Sequence, residues 1–265
     1  MSPQAETRLI RDFERALDRG ELHMLYQPKV RIETGELTRL EALVRWQQPK
    51  GAVEPSRFVP LAEKHGLIAP LTDWGLRTTL NQWKIWRDKG LDTNVAFNIS
   101  AMSLQSLDFP DLVERACREL GVPADRLVLE LTEGATQPLI KLMDTLTRFR
   151  IKGIGLAIDD FGTGYSSLMQ LRQLPFTEVK IDRLFVKDLP VDHDSRVIVQ
   201  AIIDLAHGLG LIATAEGVET TEQLRYLRSI GCDVAQGYLV AQPLEPDALM
   251  HWLSDFAERW PDLVD

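Results

Sequence analysis

Short apolar runs closed by a turn recur eight times between Leu22 and Gln236, and every run after the second is preceded by a stretch of helical period. The runs are Leu22 to Pro28, Leu37 to Trp46, Asn94 to Ile99, Arg126 to Leu131, Ile154 to Asp160, Glu178 to Asp182, Leu211 to Ala215 and Asp233 to Gln236. Continuous apolar runs of this length suit strands buried on both faces, and their alternation with helices specifies an α/β fold with a parallel sheet. Eight repeats in 265 residues fit one TIM-like (β/α)8 barrel, whose usual size is about 250 residues. Residues 1–265 therefore read as a single domain, opened by a helix over Thr7 to Arg19 that Gly20 stops and that packs on the barrel. Pro28 is expected to end the first strand, and Ser56 to cap a helix running to His65.

Composition narrows the possible partners. A net charge of −9 argues against a broad basic surface for duplex nucleic acid. No stretch approaches the roughly 18 uninterrupted apolar residues of a spanning helix, and charges interrupt the N-terminus where a secretory signal would lie. The chain reads as cytoplasmic, with Cys117 and Cys232 as core residues rather than a disulfide or a thiolate cluster.

In a barrel of this kind chemistry sits at the C-terminal strand ends. Those positions carry Gln27, Glu41, Asn98, Glu130, Asp159 with Asp160, Lys180, Glu216 and Gln236. Each has a structural alternative: Asp159 as a turn cap, Glu41 as the ion-pair partner of Arg39 or Arg45, Lys180 as a counter-ion that only balances the acids. Taken together, five carboxylates with an Asn and a Lys at one mouth form a constellation. Two carboxylates 4 Å apart repel by about 4 kcal/mol at an effective dielectric near 20, so such a cluster calls for cations. Oxygen ligands without a His or Cys pattern suit Mg2+ or Mn2+. Two such ions about 4 Å apart, with a bridging carboxylate, activate water and clamp an in-line phosphoryl displacement, which makes phosphodiester hydrolysis the natural chemistry. Lys180 would then hold the attacking water or offset charge on the phosphate.

The ordered motifs also carry a family likeness. YQP at Tyr26 to Pro28, EALVRW beginning at Glu41, FVPLAE at Phe58 to Glu63, NIS at Asn98 to Ser100 and ELTE at Glu130 to Glu133 come first. DDFGTGYSSL at Asp159 to Leu168, VKID at Val179 to Asp182, AEGVE at Ala215 to Glu219 and QGY at Gln236 to Tyr238 follow. The chain resembles the EAL domains, phosphodiesterases of the bacterial second messenger cyclic di-GMP. That resemblance implies a modified TIM (β/α)8 barrel whose first strand runs antiparallel to the others. It implies one metal on Glu41, Asn98, Glu130 and Asp159, a second on Asp159, Asp160 and Glu216, and Lys180 at the attacking water. Gln236 would hold the solvent around the metals, while Gln27, Leu43 and Arg45, with Asn98 and Asp182, match positions at the dinucleotide. Glu133 matches the residue that positions the loop containing Phe161, Gly162, Thr163 and Gly164, and Glu219 matches a partner behind the ligands. The implied reaction is hydrolysis of cyclic di-GMP to linear pGpG with two Mg2+ or Mn2+, Ca2+ binding without supporting turnover. A homodimer, and a sensor or cyclase domain in a longer parent chain, are implied partners. Gln242 departs from the family, where many relatives carry Lys or Arg.

Two rivals remain open at this point. One is a catalytically weak cyclic di-GMP receptor or protein-interaction domain, which usually lacks some of these acids. The other is a metal-dependent lyase or aldolase barrel, which leaves the vicinal pair Asp159 and Asp160 unexplained.

Overall fold

In the computed structural model, which describes residues 3–49, 51–132, 139–162 and 168–264, nine strands follow one another along the chain. They are β1 (Leu22–Arg31), β2 (Leu37–Gln48), β3 (Gly51–Val53), β4 (Asn94–Asn98), β5 (Leu127–Thr132), β6 (Gly155–Phe161), β7 (Glu178–Ile181), β8 (Ile212–Ala215) and β9 (Val234–Ala235). From β2 through β4 to β9 each neighbour pairs in parallel, and β1 closes the ring by pairing antiparallel to both β2 and β9. The result is an eight-stranded barrel with its first strand reversed, as the resemblance implies. The short β3 folds back on the end of β2 outside the ring, a hairpin that the sequence pattern did not announce.

β1 does not stop at Pro28. It runs on to Arg31, with Pro28 opposite Leu40 of β2. The amide that proline lacks would point to the side on which Tyr26 exchanges two hydrogen bonds with Leu244 and on which β9 pairs only from Val30 onward. Between those contacts no ladder partner is waiting, so proline costs nothing there. A second correction concerns Ser56. The helix Pro55–Lys64 begins one residue earlier with proline in its first turn, and Glu54 occupies the cap position without a side-chain hydrogen bond.

Strand alternation sorts side chains into two environments. Outward positions such as Leu129, Leu131, Leu156, Ile158, Val179 and Ile181 are buried against the surrounding helices in one large core. Inward positions are small or charged. Ala96, Val128 and Ala157 form a separate apolar patch inside the barrel, and a Cβ on Gly155 would meet Val128 Cγ2 at 2.8 Å, so only glycine fits beside it. Below the mouth, Arg39 pairs with Glu178, whose other oxygen accepts from Thr214 Oγ1 at 2.6 Å. Arg39, Glu178 and Thr214 each stand two residues before Glu41, Lys180 and Glu216 on their strands, so they form a layer about 6–7 Å deeper.

The N-terminal helix Pro3–Arg19 builds its own small core. Phe13 stands 5.3 Å, centroid to centroid, from Trp46 and from Phe58, with Ile10 and Ala16 beside it. Trp83 and Trp86, on the helix Ile68–Asp88, are fully buried in the main core. Among the described residues no helix is long and apolar enough to cross a membrane.

The Arg39–Glu178 pair generates a prediction. Burial alone would raise the Glu178 carboxyl, but Arg39 and Lys29, with the Thr214 hydroxyl, hold it below the ordinary glutamate range. Its stabilisation is therefore full above the unfolded glutamate value and is lost as pH falls through the depressed one. Arg39→Met strands that charge and is expected to cost about 3–5 kcal/mol, whereas adding Glu178→Met should recover most of the loss. Urea denaturation of the single and double variants measures both; a double variant no more stable than Arg39→Met would contradict the pairing.

Candidate active site

Inward side chains on β2, β4, β5, β6 and β7, and those that directly follow β8 and β9, meet at one mouth. Lys180 lies at its centre with 1% of its side chain exposed, and its Nζ stands 2.6 Å from Glu130 Oε2, 2.6 Å from Glu216 Oε1, 2.9 Å from Asp159 Oδ1 and 3.6 Å from Glu41 Oε2. Four acids from four strands share one ammonium. Asn98 Nδ2 donates to Glu41 Oε1 at 2.7 Å, and Gln236 Nε2 donates to Glu41 Oε2 at 2.7 Å and to Gln27 Oε1 at 3.0 Å. Gln27 in turn donates to the Ala241 carbonyl. These amides orient Glu41 and leave Gln236 Oε1 buried without a hydrogen-bond partner among the described residues. Gly237 follows at a point where a Cβ would lie 2.2 Å from the Val218 backbone, so glycine is what lets the Gln236 segment pack against the β8 exit.

Asp159 and Asp160 should face opposite sides of β6, yet both reach the mouth. The register of β6 on β7 shifts between Ile158 and Phe161, and Asp160 adopts φ +54°, a left-handed conformation that aspartate tolerates better than most residues. The Asp160 amide donates to Asp159 Oδ1 at 2.9 Å. The consequence is a set of carboxylate oxygens from Asp159, Asp160 and Glu216 that all lie within 4.8 Å of one another. This is the donor set expected for a hard divalent cation, in the triad the resemblance assigned to the second metal. Glu41, Asn98 and Glu130 are brought to the same mouth, with Glu41 and Glu130 held on lysines and Asn98 on Glu41.

The electrostatics agree with a site short of positive charge. Burial pushes the Glu216 carboxyl up to about 8, with Asp159 and Glu41 adding to the rise against Lys180. Burial and the Asp159 charge push Asp160 up to about 6. Burial and Glu41 raise Glu130 in spite of both lysines. Glu41 goes the other way: burial would raise it, but Lys180, Lys29 and the two amide donors hold it well down. Lys180, which burial alone would lower, is raised well above the ordinary lysine range by its acids.

Two clefts meet at this mouth. A polar one of about 320 Å³ is walled by Glu41, Asp159, Lys180, Glu216, Glu219 and Gln236, among others. A larger, mainly apolar one of about 510 Å³ runs from Asn98 past Val59 and Leu71, and Leu43 and Arg45 border both. Asp182 also serves the local backbone, since its Oδ1 accepts from Leu184 N at 2.7 Å and caps the short helix Arg183–Lys187. Phe161 ends β6 in the core, while Glu133, Thr163 and Gly164 lie outside the described residues. Sequence reasoning missed Lys29, which is fully buried beneath Glu41 and Glu130. Continued alternation from Gln27 past Pro28 was the signal.

A model of the family described as EAL domain matches residues 10–243. The chain belongs to the EAL domain family. It is 40% identical over 233 residues to a protein of Pseudomonas aeruginosa named a cyclic di-GMP phosphodiesterase, covering 87% of this chain and 40% of that one. It is also 40% identical over 250 residues to MucR of the same organism, named a bifunctional diguanylate cyclase/cyclic di-GMP phosphodiesterase, covering 93% of this chain and 36% of that one. This EAL chain thus spans about two fifths of the length of these curated relatives. A solved structure of the PaMucR phosphodiesterase in complex with c-di-GMP superposes with a TM-score of 0.87 at 40% identity, covering 91% of this chain and 99% of that one.

The vicinal acids generate a prediction for this EAL domain. Asp160→Asn keeps a residue that tolerates the left-handed backbone and removes one charge beside Asp159. The metal-free protein should gain about 1 kcal/mol, a figure reduced for the partial exposure of Asp160. Its affinity for Mn2+ should fall by about tenfold or more, since one of three charged donors is lost. Thermal unfolding with and without Mn2+ measures both; equal Mn2+ affinity would remove Asp160 from the donor set.

Proposed function

We propose that this EAL domain hydrolyses cyclic di-GMP to linear pGpG in a reaction that needs two Mg2+ or Mn2+ ions. The observation that carries the reading is the convergence on Lys180 of Glu41, Glu130, Asp159 and Glu216, with Asp160 completing a triad of cation donors at the same mouth. Similarity to a relative named a cyclic di-GMP phosphodiesterase, and to a phosphodiesterase structure in complex with c-di-GMP, supplies the substrate class. The clefts have the matching character: a polar mouth for a phosphodiester beside an apolar hollow for a planar base, bordered by Leu43 and Arg45.

Asp159, Asp160 and Glu216 would hold one ion, and Glu41, Asn98, Glu130 and Asp159 the other, with Asp159 common to both sets. When bound, such a pair of ions lowers the pKa of water and neutralises charge on a phosphoryl group. The chain's own groups supply positioning. Lys180 Nζ, itself almost fully buried, donates toward the attacking water and the phosphate oxygens where negative charge grows. Gln236 Oε1, which has no partner among the described residues, accepts a hydrogen bond from the water and fixes its direction. Arg45 at the rim offers a guanidinium to the phosphate that is not cut. Water adds at phosphorus, one ring P–O bond breaks, and the ribose oxygen leaves with a proton.

The purified chain incubated with cyclic di-GMP and Mg2+ or Mn2+ should release pGpG, followed by chromatography. Asp159→Ala should lower turnover by about 10³-fold or more, because one carboxylate serves both ions. Unchanged turnover in that variant would overturn the mechanism. Ca2+ should bind but support little turnover, since its looser coordination misplaces the water; a Ca2+ form as fast as the Mg2+ form would count against the two-ion geometry. Tight cyclic di-GMP binding with no product under any of these ions would replace the enzyme reading with a receptor.

A further inference from the structure

Lys29 approaches the site from below the mouth. Because β1 runs against β2, the Lys29 Cα pairs with Arg39, a layer beneath Glu41, yet its four-carbon stem carries the ammonium upward. There it donates to Glu130 Oε1 and stands 3.6 Å from Glu41 Oε2, with 0% of its side chain exposed. Lys180 holds the opposite oxygen, Glu130 Oε2, at 2.6 Å and lies the same 3.6 Å from Glu41 Oε2. Glu130 is thus gripped on both oxygens by two lysines from two strands. The lysines differ in reach. Lys180 lines the polar cleft, whereas Lys29 borders a separate cavity of about 320 Å³ at the far end of the barrel, with Arg39, Glu178 and Asn94. From that side it is not placed to touch a substrate bound at the mouth.

A buried ammonium is costly unless carboxylates surround it, and two buried carboxylates are costly unless something positive lies between them. Lys29 meets both conditions on its own, before any divalent cation binds. The same fixed charge must then oppose a divalent cation that arrives on Glu41 and Glu130, the more strongly because little water intervenes. We propose that Lys29 is a positioning residue and resident counter-charge: it orients Glu130, stabilises the fold when no metal is supplied, and sets how tightly Glu41, Asn98, Glu130 and Asp159 take up a divalent ion. The inference rests on the metal-dependent reading of the site.

The test is a Mn2+ titration, with thermal unfolding in EDTA and in saturating Mn2+, on the wild type, Lys29→Gln and Lys29→Met. Glutamine keeps a donor for Glu130 and removes the charge; methionine removes both. Both variants should unfold at lower temperature than the wild type in EDTA, bind Mn2+ more tightly by about tenfold or more, and show a larger Tm rise on Mn2+ addition. A packing role alone would lower Tm equally with and without Mn2+ and leave the affinity where it was. If neither variant binds Mn2+ more tightly, or neither folds even in saturating Mn2+, the assignment of Lys29 is overturned. A wild type that takes up no Mn2+ overturns the metal reading itself, and this inference with it.

Discussion

One ammonium shared among four carboxylates sets the terms for the rest of this barrel. Glu41, Glu130, Asp159 and Glu216 arrive on four different strands and meet at Lys180, where water is largely excluded. With Asp160 there are five acids and, with Lys29, two lysines, so positive charge falls short when all are ionised. Burial and neighbouring acids accordingly raise the Glu130, Asp160 and Glu216 carboxyls, and a barrel can tolerate such a shortage in two ways: by keeping protons on some acids, or by taking up cations. The second would leave a concentrated field aimed into the polar cleft that these acids wall.

The interior below the mouth continues the same logic. Most of the barrel's apolar area lies outside the ring, between strands and helices, while the inside is filled by Ala96, Val128 and Ala157 and by charges in alternation. Arg39 against Glu178, Lys29 against Glu130, and Lys180 against its four acids succeed one another toward the mouth. Reversal of the first strand gives this stack its middle member, because Lys29 rises from a position that pairs with Arg39. Buried ion pairs seldom add stability over apolar packing. Here Lys29 and Lys180 hold the carboxylates of the mouth from within the barrel.

Much of this was legible in the sequence. Apolar runs alternating with stretches of period 3.6 gave the barrel, and the strand exits gave Glu41, Asn98, Glu130, Asp159, Lys180, Glu216 and Gln236, because exit position follows from strand position. The antiparallel course of β1 was not legible from periodicity, which carries no direction; it came from the family likeness. Lys29 was lost because Pro28 reads as a strand end, and only the pairing partners show that its missing amide has nothing to bond. The joint presence of Asp159 and Asp160 on one side depends on a register shift and a positive φ, neither of which leaves a pattern in residue types. Arg39 was weighed as a partner for Glu41, its neighbour on β2, whereas it pairs with Glu178, because only ring closure sets those two face to face.

The most direct test of the claim that these acids form one cation-dependent centre is a crystal structure grown with Mn2+, with the ions located by anomalous scattering. A strong peak in contact with Asp159, Asp160 and Glu216 is expected, with a second beside Glu41, Asn98 and Glu130, and Lys180 drawn away from at least one carboxylate that it holds now. Peaks confined to the protein surface, with Lys180 still within hydrogen-bond reach of Glu130, Asp159 and Glu216, would contradict it.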